Sequence, residues 1–201
     1  MASYLVPGGQ ATAELREKGS RFLAVVGAAA AEEEARAVLA SLARDHPDAT
    51  HLCWALRLGW PPRERSSDAG EPAGTAGVPM LQVLRGAGLS DVLAVAVRWF
   101  GGVKLGKGGL ARAYAAAVRA ALAGLPTTRR TPRVRLALSA PLARIGAVKR
   151  VVHPPEVEIE SETWGDPRYA EIVLRVHEDH RAALEEALAD LRVAVTLLPD
   201  L

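Results

Sequence analysis

Residues 92–123 read VLAVAVRWFGGVKLGKGGLARAYAAAVRAALA: an apolar run, a glycine-rich turn and a segment of helical periodicity. Val92 to Val97 is unbroken apolar chain with strong β character, which is typical of a central strand covered on both faces. Arg98 stands where that strand would leave the core. In the third segment the apolar residues repeat at helical spacing, whereas Arg112 and Arg119 fall on another face. The stretch predicts a strand, a turn and a helix with one cationic face.

The glycine-rich turn matches the G-x-x-x-x-G-K spacing of a nucleotide-binding loop. The next residue argues against that site, because Gly108 lacks the hydroxyl with which such loops hold magnesium. A flexible backbone, free amides at a helix start and nearby cations still favour weak anion binding. The predicted anion-binding residues here are Arg98, Gly101, Gly102, Lys104, Gly106, Gly108, Gly109 and Arg112. Alternatively, the glycines only permit a tight turn with unusual dihedral angles.

Upstream of this unit, the pattern predicts a hairpin followed by a helix. Residues 11–17 and 20–28 are strand-like runs separated by Lys18-Gly19. The helix should begin near Glu32, where three acids occupy its first turn, and should end at His46-Pro47.

Residues 51–58 alternate with the period of a half-buried strand. The set expected to face the core is Leu52, Trp54, Leu56 and Leu58. Residues 60–74 are rich in proline, glycine and short polar side chains, which predicts a loop that is long enough to be functional. A helix should follow over about residues 75–84.

Three polar residues around this loop are candidate catalytic groups: His51, Asp68 and Glu71. An imidazole between carboxylates could be a base or a metal ligand. Alternatively, His51 bonds a loop carbonyl, Asp68 bonds the backbone and Thr75 caps the next helix, which leaves Glu71 without an obvious turn or cap to serve. Cys53 is expected to be a buried, inert thiol, because along a strand it lies roughly 7 Å from His51, beyond hydrogen-bond reach.

Residues 125–130 are interpreted as a linker, so the chain is divided into predicted domains 1–128 and 129–201. The second domain is predicted to contain strand 132–139, helix 141–152, strands 156–163 and 169–177, helix 179–190 and strand 193–198. This βαββαβ order is the ferredoxin-like pattern. Pro141 suits a first helical turn and Asp179 suits an N-cap.

Charge is distributed unevenly along the 201 residues, although the formal net charge is only +2. Between Asp91 and Glu156 there are 12 basic residues and no acid, whereas the chain from Glu156 onward has 12 acids and four arginines. This asymmetry favours either a surface that attracts anions or docking between parts of the protein and its partners. The arginines near the linker, here called the connector arginines, join the anion-binding candidates: Arg129, Arg130, Arg133 and Arg135.

Composition excludes several classes of protein. A chain with 49% hydrophobic and 24% charged residues is globular rather than disordered, collagenous or coiled-coil. We find no apolar run near the roughly 18 residues that a membrane span needs and no signal sequence, so a cytoplasmic location is expected. A single cysteine allows no internal disulfide and no cysteine-rich zinc site. The sequence predicts neither a metal nor a cofactor.

Three segments together closely resemble the YigZ/IMPACT family. They are DATHLCWALRLG (48–59), RSSDAGEPAGTAGVPMLQVL (65–84) and VRWFGGVKLGKGGLARAYAAAV (97–118). The chain departs from the family pattern at Ala69, where relatives usually carry a second Asp, at Ala73, where Ser is common, and at Trp99, where Tyr is common. Lys107 occupies a position usually held by a small residue, which argues against a shared role. The missing Asp weakens any two-carboxylate site in the loop.

The resemblance implies a mixed α/β (α+β) fold. Its N-terminal βαβ domain would be similar to a ribosomal protein domain, the fourth domain of elongation factor G and the GHMP kinases. Its ferredoxin-like domain would be similar to modules near the end of elongation factor G. In eukaryotic members, the N-terminal module belongs to a regulator that binds a ribosome-associated activator of an initiation-factor kinase.

The expected function is therefore RNA or ribosome binding through a basic face, with Arg98, Lys104, Arg112 and the connector arginines on phosphates. One alternative is an enzyme or small-ligand protein for a phosphorylated metabolite, with its cleft between residues 70–77 and 100–109. Another is a module that docks a partner protein. The sequence predicts no oligomeric state.

Overall fold

A computed structural model describes residues 3–153 and 155–199. The contact pattern divides the chain after Arg130 into two compact units, one spanning Tyr4–Arg130 and the other beginning at Thr131. The first unit contains the strands β1 (Tyr4–Pro7), β2 (Gln10–Glu17), β3 (Ser20–Ala28), β4 (His51–Leu58), β5 (Arg63–Ser67), β6 (Val92–Trp99) and β7 (Thr127–Arg130). Its helices are α1 (Glu32–Asp45), α2 (Gly77–Gly86) and α3 (Gly106–Ala123).

The first unit is built on a five-stranded antiparallel sheet in the order β2-β3-β6-β4-β5. The predicted central strand is confirmed, because β6 is the middle strand and its residues Val92 to Val97 are all buried. Since β3 and β4 both pair antiparallel to β6, they run parallel to each other on either side of it, with α1 between them in the chain. The predicted hairpin and the helix after it are confirmed as β2, β3 and α1.

The sheet is covered on both faces. One core contains Ala94 and Ala96 of β6 under α2 and α3, and the other contains Val95 and Val97 under α1. Successive strand residues point to opposite faces, so one strand contributes to both cores. The four β4 residues predicted to face the core do so on the α1 side: Leu52, Trp54, Leu56 and Leu58. The prediction that β4 is only half-buried is wrong, because Cys53 on its other face belongs to the core under α2 and α3.

Two short strands lie where the sequence predicted loop or linker. The expected loop 60–74 contains β5, an exposed and polar edge strand that pairs with β4. The expected linker 125–130 contains β7, which pairs antiparallel with β1 in a separate two-stranded sheet. Neither strand has an apolar pattern of its own, because each depends on a partner strand for its hydrogen bonds rather than on a buried face.

The second unit has the predicted βαββαβ order. It consists of β8 (Arg133–Pro141), a 3-10 turn (Leu142–Arg144), α4 (Ile145–Val151), β9 (Val157–Thr163), β10 (Tyr169–His177), α5 (Glu178–Asp190) and β11 (Ala194–Leu198). The antiparallel sheet order β11-β8-β10-β9 is that of a ferredoxin-like fold. Two details differ from expectation: Pro141 ends β8 instead of opening a helix, and the N-cap of α5 is His177 rather than Asp179.

No helix in the described ranges combines the length and apolar character that a membrane span requires.

Candidate functional site

A buried ion pair lies where β6 leaves the sheet. Arg98 comes from the end of β6 and Glu71 from the loop between β5 and α2, and their side chains are only 5% and 3% exposed. Arg98 Nη1 donates to Glu71 Oε1 at 2.6 Å, and the Tyr114 hydroxyl donates to the same oxygen at 2.7 Å. A buried charge is tolerated only when it is paired and hydrogen-bonded, so these three side chains form a mutually dependent cluster.

Arg98, which was predicted to contact phosphate, is only 4% exposed. Its guanidinium instead ties two turns together. Arg98 Nη2 donates to Ser20 Oγ at 3.2 Å, and the same oxygen accepts the backbone N–H of Gly101 at 3.2 Å. Sequence reasoning missed Ser20, a polar residue at the start of β3 that is completely buried.

The β2–β3 turn and the glycine-rich turn touch through their backbones. A Cβ at Gly101 would lie 1.9 Å from the carbonyl carbon of Gly19 and 2.3 Å from the nitrogen of Ser20. Two other glycines have the left-handed backbone that favours glycine, Gly102 with φ +84° and Gly106 with φ +70°. Gly108 and Gly109 lie in the first turn of α3. Glycine is therefore favoured at position 101 by the close approach of the neighbouring backbone, and at positions 102 and 106 by the left-handed dihedral angles.

Two of the candidate catalytic residues, His51 and Glu71, lie close together. His51 Nδ1 lies 2.9 Å from the carbonyl oxygen of Ala69. A carbonyl only accepts, so Nδ1 carries the proton and donates. The other nitrogen, Nε2, lies 3.9 Å from Glu71 Oε2, a separation that one water or ligand hydroxyl could bridge. The His51 side chain is 20% exposed, more than that of Glu71 or Arg98.

Cys53 is buried, as the sequence predicted. Its S–H donates to the carbonyl oxygen of Asp68, with Sγ at 3.0 Å, and Sγ also lies 3.4 Å from the Tyr114 hydroxyl oxygen. Burial, the largest cause, raises the pKa of Cys53 to about 12 and also raises the pKa of Tyr114. Both groups therefore stay protonated near neutral pH. Because only the thiolate is a strong nucleophile, the Cys53 thiol is not activated for attack.

Asp68, the third candidate catalytic residue, holds the start of α2 through backbone hydrogen bonds. Its carboxylate accepts the backbone N–H groups of Gly74, Ala76 and Gly77 at 2.8, 2.9 and 2.8 Å. It therefore caps the start of α2, which corrects the expectation that Thr75 does so. The Thr75 hydroxyl instead donates to the carbonyl oxygen of Pro72 at 2.6 Å. Burial acts to raise the pKa of Asp68, but the three N–H donors outweigh it and hold the pKa below its usual value.

Replacing Asp68 with asparagine should lower the free energy of unfolding at pH 7 by about 1–3 kcal/mol, because an amide cannot accept all three N–H bonds. The folded-state pKa lies below the unfolded value of about 3.9, so the stabilisation is complete above that pH and is lost as pH falls through the folded pKa. Urea titrations of both proteins between pH 7 and pH 3 should show the difference narrowing with acid. Asp48→Asn is the exposed control. A gap that is constant or widens toward pH 3 would contradict this role.

The exposed part of the site is the basic turn, defined as Phe100–Arg112. Phe100 is 46% exposed and Val103 is 53% exposed. The turn has three exposed cations: Lys104, Lys107 and Arg112. Within residues 3–153 and 155–199, none of the three has an acidic partner at ion-pair distance. The turn thus presents free positive charge beside apolar side chains, directly outside the buried cluster.

The connector arginines are placed differently. Arg130 pairs with Asp91 at 2.6 Å, Arg133 with Glu158 at 2.7 Å and Arg135 with Glu160 at 2.9 Å. Arg129 is exposed on β7. Three of the four are thus partly neutralised by acids of the same unit.

Across the described ranges, we find no group of three or more His, Cys, Asp or Glu residues that could hold a metal ion.

These features define an α+β protein of two units, in which a buried Glu–Arg–Tyr cluster supports an exposed basic turn. A model of the Impact N-terminal domain matches residues 18–122. An IMPACT family member of Haemophilus influenzae is 39% identical over 165 residues, which cover 81% of this chain and 80% of the relative. Escherichia coli YigZ, described as an IMPACT family member, is 44% identical over 135 residues, 66% of each chain.

The chain belongs to the IMPACT family. A crystal structure described as that of a hypothetical protein aligns with all of the chain and is itself fully covered, with 31% identity and a TM-score of 0.74. The predicted family and the predicted mixed α/β fold with a ferredoxin-like C-terminal unit are therefore confirmed.

Proposed function

We propose that this protein is a translation-linked regulator that binds RNA or a ribosomal surface through the basic turn. Membership of the IMPACT family supports the link to translation, and a ribosome-facing role would place the protein in the cytosol. The observation that carries the binding proposal is the set of exposed cations Lys104, Lys107 and Arg112 without an acidic partner among the described residues, next to exposed Phe100.

The chemistry of the basic turn suits a nucleic acid better than a small anion. Lysine and arginine contacts to phosphates provide affinity without reading sequence. An exposed aromatic ring can stack on an unpaired base, as occurs on surfaces that bind single-stranded or looped RNA. Phe100 has its ring 5.5 Å from the guanidinium carbon of buried Arg98, and its N–H donates to Thr50 Oγ1 at 2.9 Å, so its position is supported from below.

The sequence-based hypothesis placed Arg98 and the connector arginines on phosphates together with Lys104 and Arg112, whereas this proposal gives the first two a different role. Arg98 supports the turn from inside the protein, and Arg130 and Arg133 already have acidic partners. We therefore assign the main phosphate contacts to Lys104 and Arg112, with the exposed backbone of Gly102 lying between Phe100 and Lys104.

Reversing two charges, in the variant Lys104→Glu/Arg112→Glu, should weaken binding to a structured RNA hairpin by about tenfold or more at low salt. If each residue contacts one phosphate, the log–log salt slope should become shallower by about 2. Filter binding with a labelled hairpin at several salt concentrations between about 50 and 200 mM measures both quantities.

The matched control is Arg44→Glu/Arg63→Glu. It makes the same change in net charge with two exposed arginines that form no ion pair with a described residue. This control should retain most of the affinity. Equal losses in the two variants would mean that net charge alone attracts the RNA, and undetectable binding of the unmodified protein even at low salt would overturn the proposal.

The second candidate function is an enzyme or small-ligand protein for a phosphorylated metabolite. The approach of His51 Nε2 to Glu71 Oε2 favours it, because one bridging hydroxyl could contact both groups. The Arg98 and Tyr114 bonds to Glu71 limit it, since they occupy the other carboxylate oxygen. Absence of RNA binding in the filter assay would make this candidate the preferred one.

A further inference from the structure

An apolar groove separates α2 and α3 on their solvent-facing side, away from the basic turn residues assigned above. It has a volume of about 410 Å³. Five apolar residues and one cation form most of its lining: Pro79, Val83, Ala87, Ala115, Leu122 and Arg119. No residue of the buried Glu–Arg–Tyr cluster is among them, so the groove requires its own explanation.

The groove is long enough to bind a short helix. Its α2 wall extends over Pro79–Ala87 and its α3 wall over Ala115–Leu122, which correspond to about 12 and 10 Å at the α-helical rise. Such a length accommodates roughly two turns of a third helix. Small residues such as Ala87 and Ala115 allow close approach of its backbone, and helices pack at interaxial distances of about 8–10 Å.

The charge around the groove indicates which kind of helix would bind there. Neither α2 nor α3 contains an acidic residue. Arg85 of α2 is neutralised by Glu64, whereas Arg119 of α3 is exposed and has no acidic partner within the described parts of the chain. A helix with an apolar stripe flanked by carboxylates would fill the groove and pair with Arg119.

From this complementarity, we propose that the α2–α3 groove docks an acidic amphipathic helix of a partner protein. The apolar lining favours a helix over a nucleic acid, because aliphatic side chains offer little to phosphate or to a base face. Burial of the apolar lining should provide affinity for the helix. The ion pair between Arg119 and a carboxylate of the helix should make the groove prefer an acidic helix over a basic one. The proposal does not rest on RNA binding, because its residues are distinct from Lys104 and Arg112.

The test uses two synthetic helices of 16 residues with fluorescein labels. Both have a leucine stripe at i, i+3, i+4 and i+7 on an alanine background, with glutamates on the flanks of one and lysines on those of the other. Fluorescence anisotropy with the full chain should show binding of the glutamate peptide, with the lysine peptide at least about tenfold weaker.

Two variants separate the contributions of charge and apolar contact. Arg119→Glu should reverse the preference, so that the lysine peptide becomes the tighter ligand. Val83→Gln should weaken both peptides, because it removes apolar area from the groove. Arg44→Glu is the control for net charge and should leave both affinities unchanged, since α1 packs on the opposite face of the sheet.

Failure of the glutamate peptide to bind, or equal affinity for both peptides, would overturn the proposal. RNA is tested in the same series: if Arg119→Glu weakens the RNA hairpin as much as Lys104→Glu/Arg112→Glu does, the groove is part of the nucleic-acid surface instead. If RNA binding survives in Arg119→Glu while the peptide preference reverses, the two surfaces are independent.

Discussion

Replacing Glu71 with glutamine should lower the free energy of unfolding of the first unit by about 3–5 kcal/mol, because it leaves the buried Arg98 guanidinium without a counter-charge. Glutamine keeps the size of the side chain, so packing changes little. Urea unfolding followed by tryptophan fluorescence measures the effect. A Trp164→Phe background restricts the signal to Trp54, Trp60 and Trp99, all in the first unit.

Two comparisons make this experiment specific. Glu33 forms an exposed pair with Arg36, so Glu33→Gln should cost no more than about 1 kcal/mol. The double variant Glu71→Gln/Arg98→Met removes the buried charge and should recover part of the loss. An unchanged urea midpoint in Glu71→Gln, or a double variant less stable than the sum of the single changes, would contradict the assigned role.

Gly101→Ala should destabilise the first unit by about 3 kcal/mol or more, or prevent its folding. The new methyl group would overlap the backbone of the β2–β3 turn, at 1.9 Å from the carbonyl carbon of Gly19 and 2.1 Å from its oxygen. Backbone atoms cannot rotate away as a flexible side chain can, so the two turns must separate. That separation would also break the bond from Gly101 N–H to Ser20 Oγ.

The matched control is Gly86→Ala at the end of α2 in the same unit, where an added Cβ has no heavy atom within 4 Å. Its effect should stay within about 1 kcal/mol and favour alanine, which has the higher helix propensity. Circular dichroism and urea unfolding of both variants provide the comparison. A Gly101→Ala protein with a midpoint equal to that of Gly86→Ala would show that the turns adjust without cost.

Both predictions concern the support of the basic turn rather than a reaction. Arg98, Ser20 and Gly101 bind the turn after β6 to the β2–β3 hairpin, while Glu71 and Tyr114 hold Arg98 in place. A rigid base lowers the conformational entropy lost when exposed Lys104 meets a partner. The buried residues of the family motif thus support the turn to which we assign the proposed binding, without contacting a ligand themselves.

Much of the fold was predictable because its signals are local. The apolar run Val92 to Val97, the helical stripe of α3 and the βαββαβ order each show their periodicity within a few residues, and each was confirmed. Strands β5 and β7 were missed because their hydrogen-bond partners lie elsewhere in the chain, in β4 and β1. No pattern within five polar residues can announce such a partner.

The site likewise contains some residues that the sequence could identify and others that depend on distant parts of the chain. His51, Glu71 and the glycine-rich turn could be selected by residue type and by family resemblance. A bond from His51 to a loop carbonyl could also be predicted, because a histidine beside a loop commonly bonds its backbone. The role of Arg98 could not be predicted, because a cation at a strand exit points equally well to solvent or to a buried acid. Ser20 carried no signal, since its function depends on two residues roughly eighty positions away.

By itself, the amino-acid sequence determined the helices, most strands, the family and the uneven distribution of charge, because these depend on neighbouring residues or on whole motifs. Only the tertiary structure decided which charges are buried and which remain free. It brought Glu71 to Arg98 and placed Asp91, Glu158 and Glu160 beside three of the connector arginines. Lys104 and Arg112 were left without an acidic partner among the residues that the structure describes. The physical reason is that Coulomb interactions and desolvation depend on distance in space, and chain order does not specify that distance.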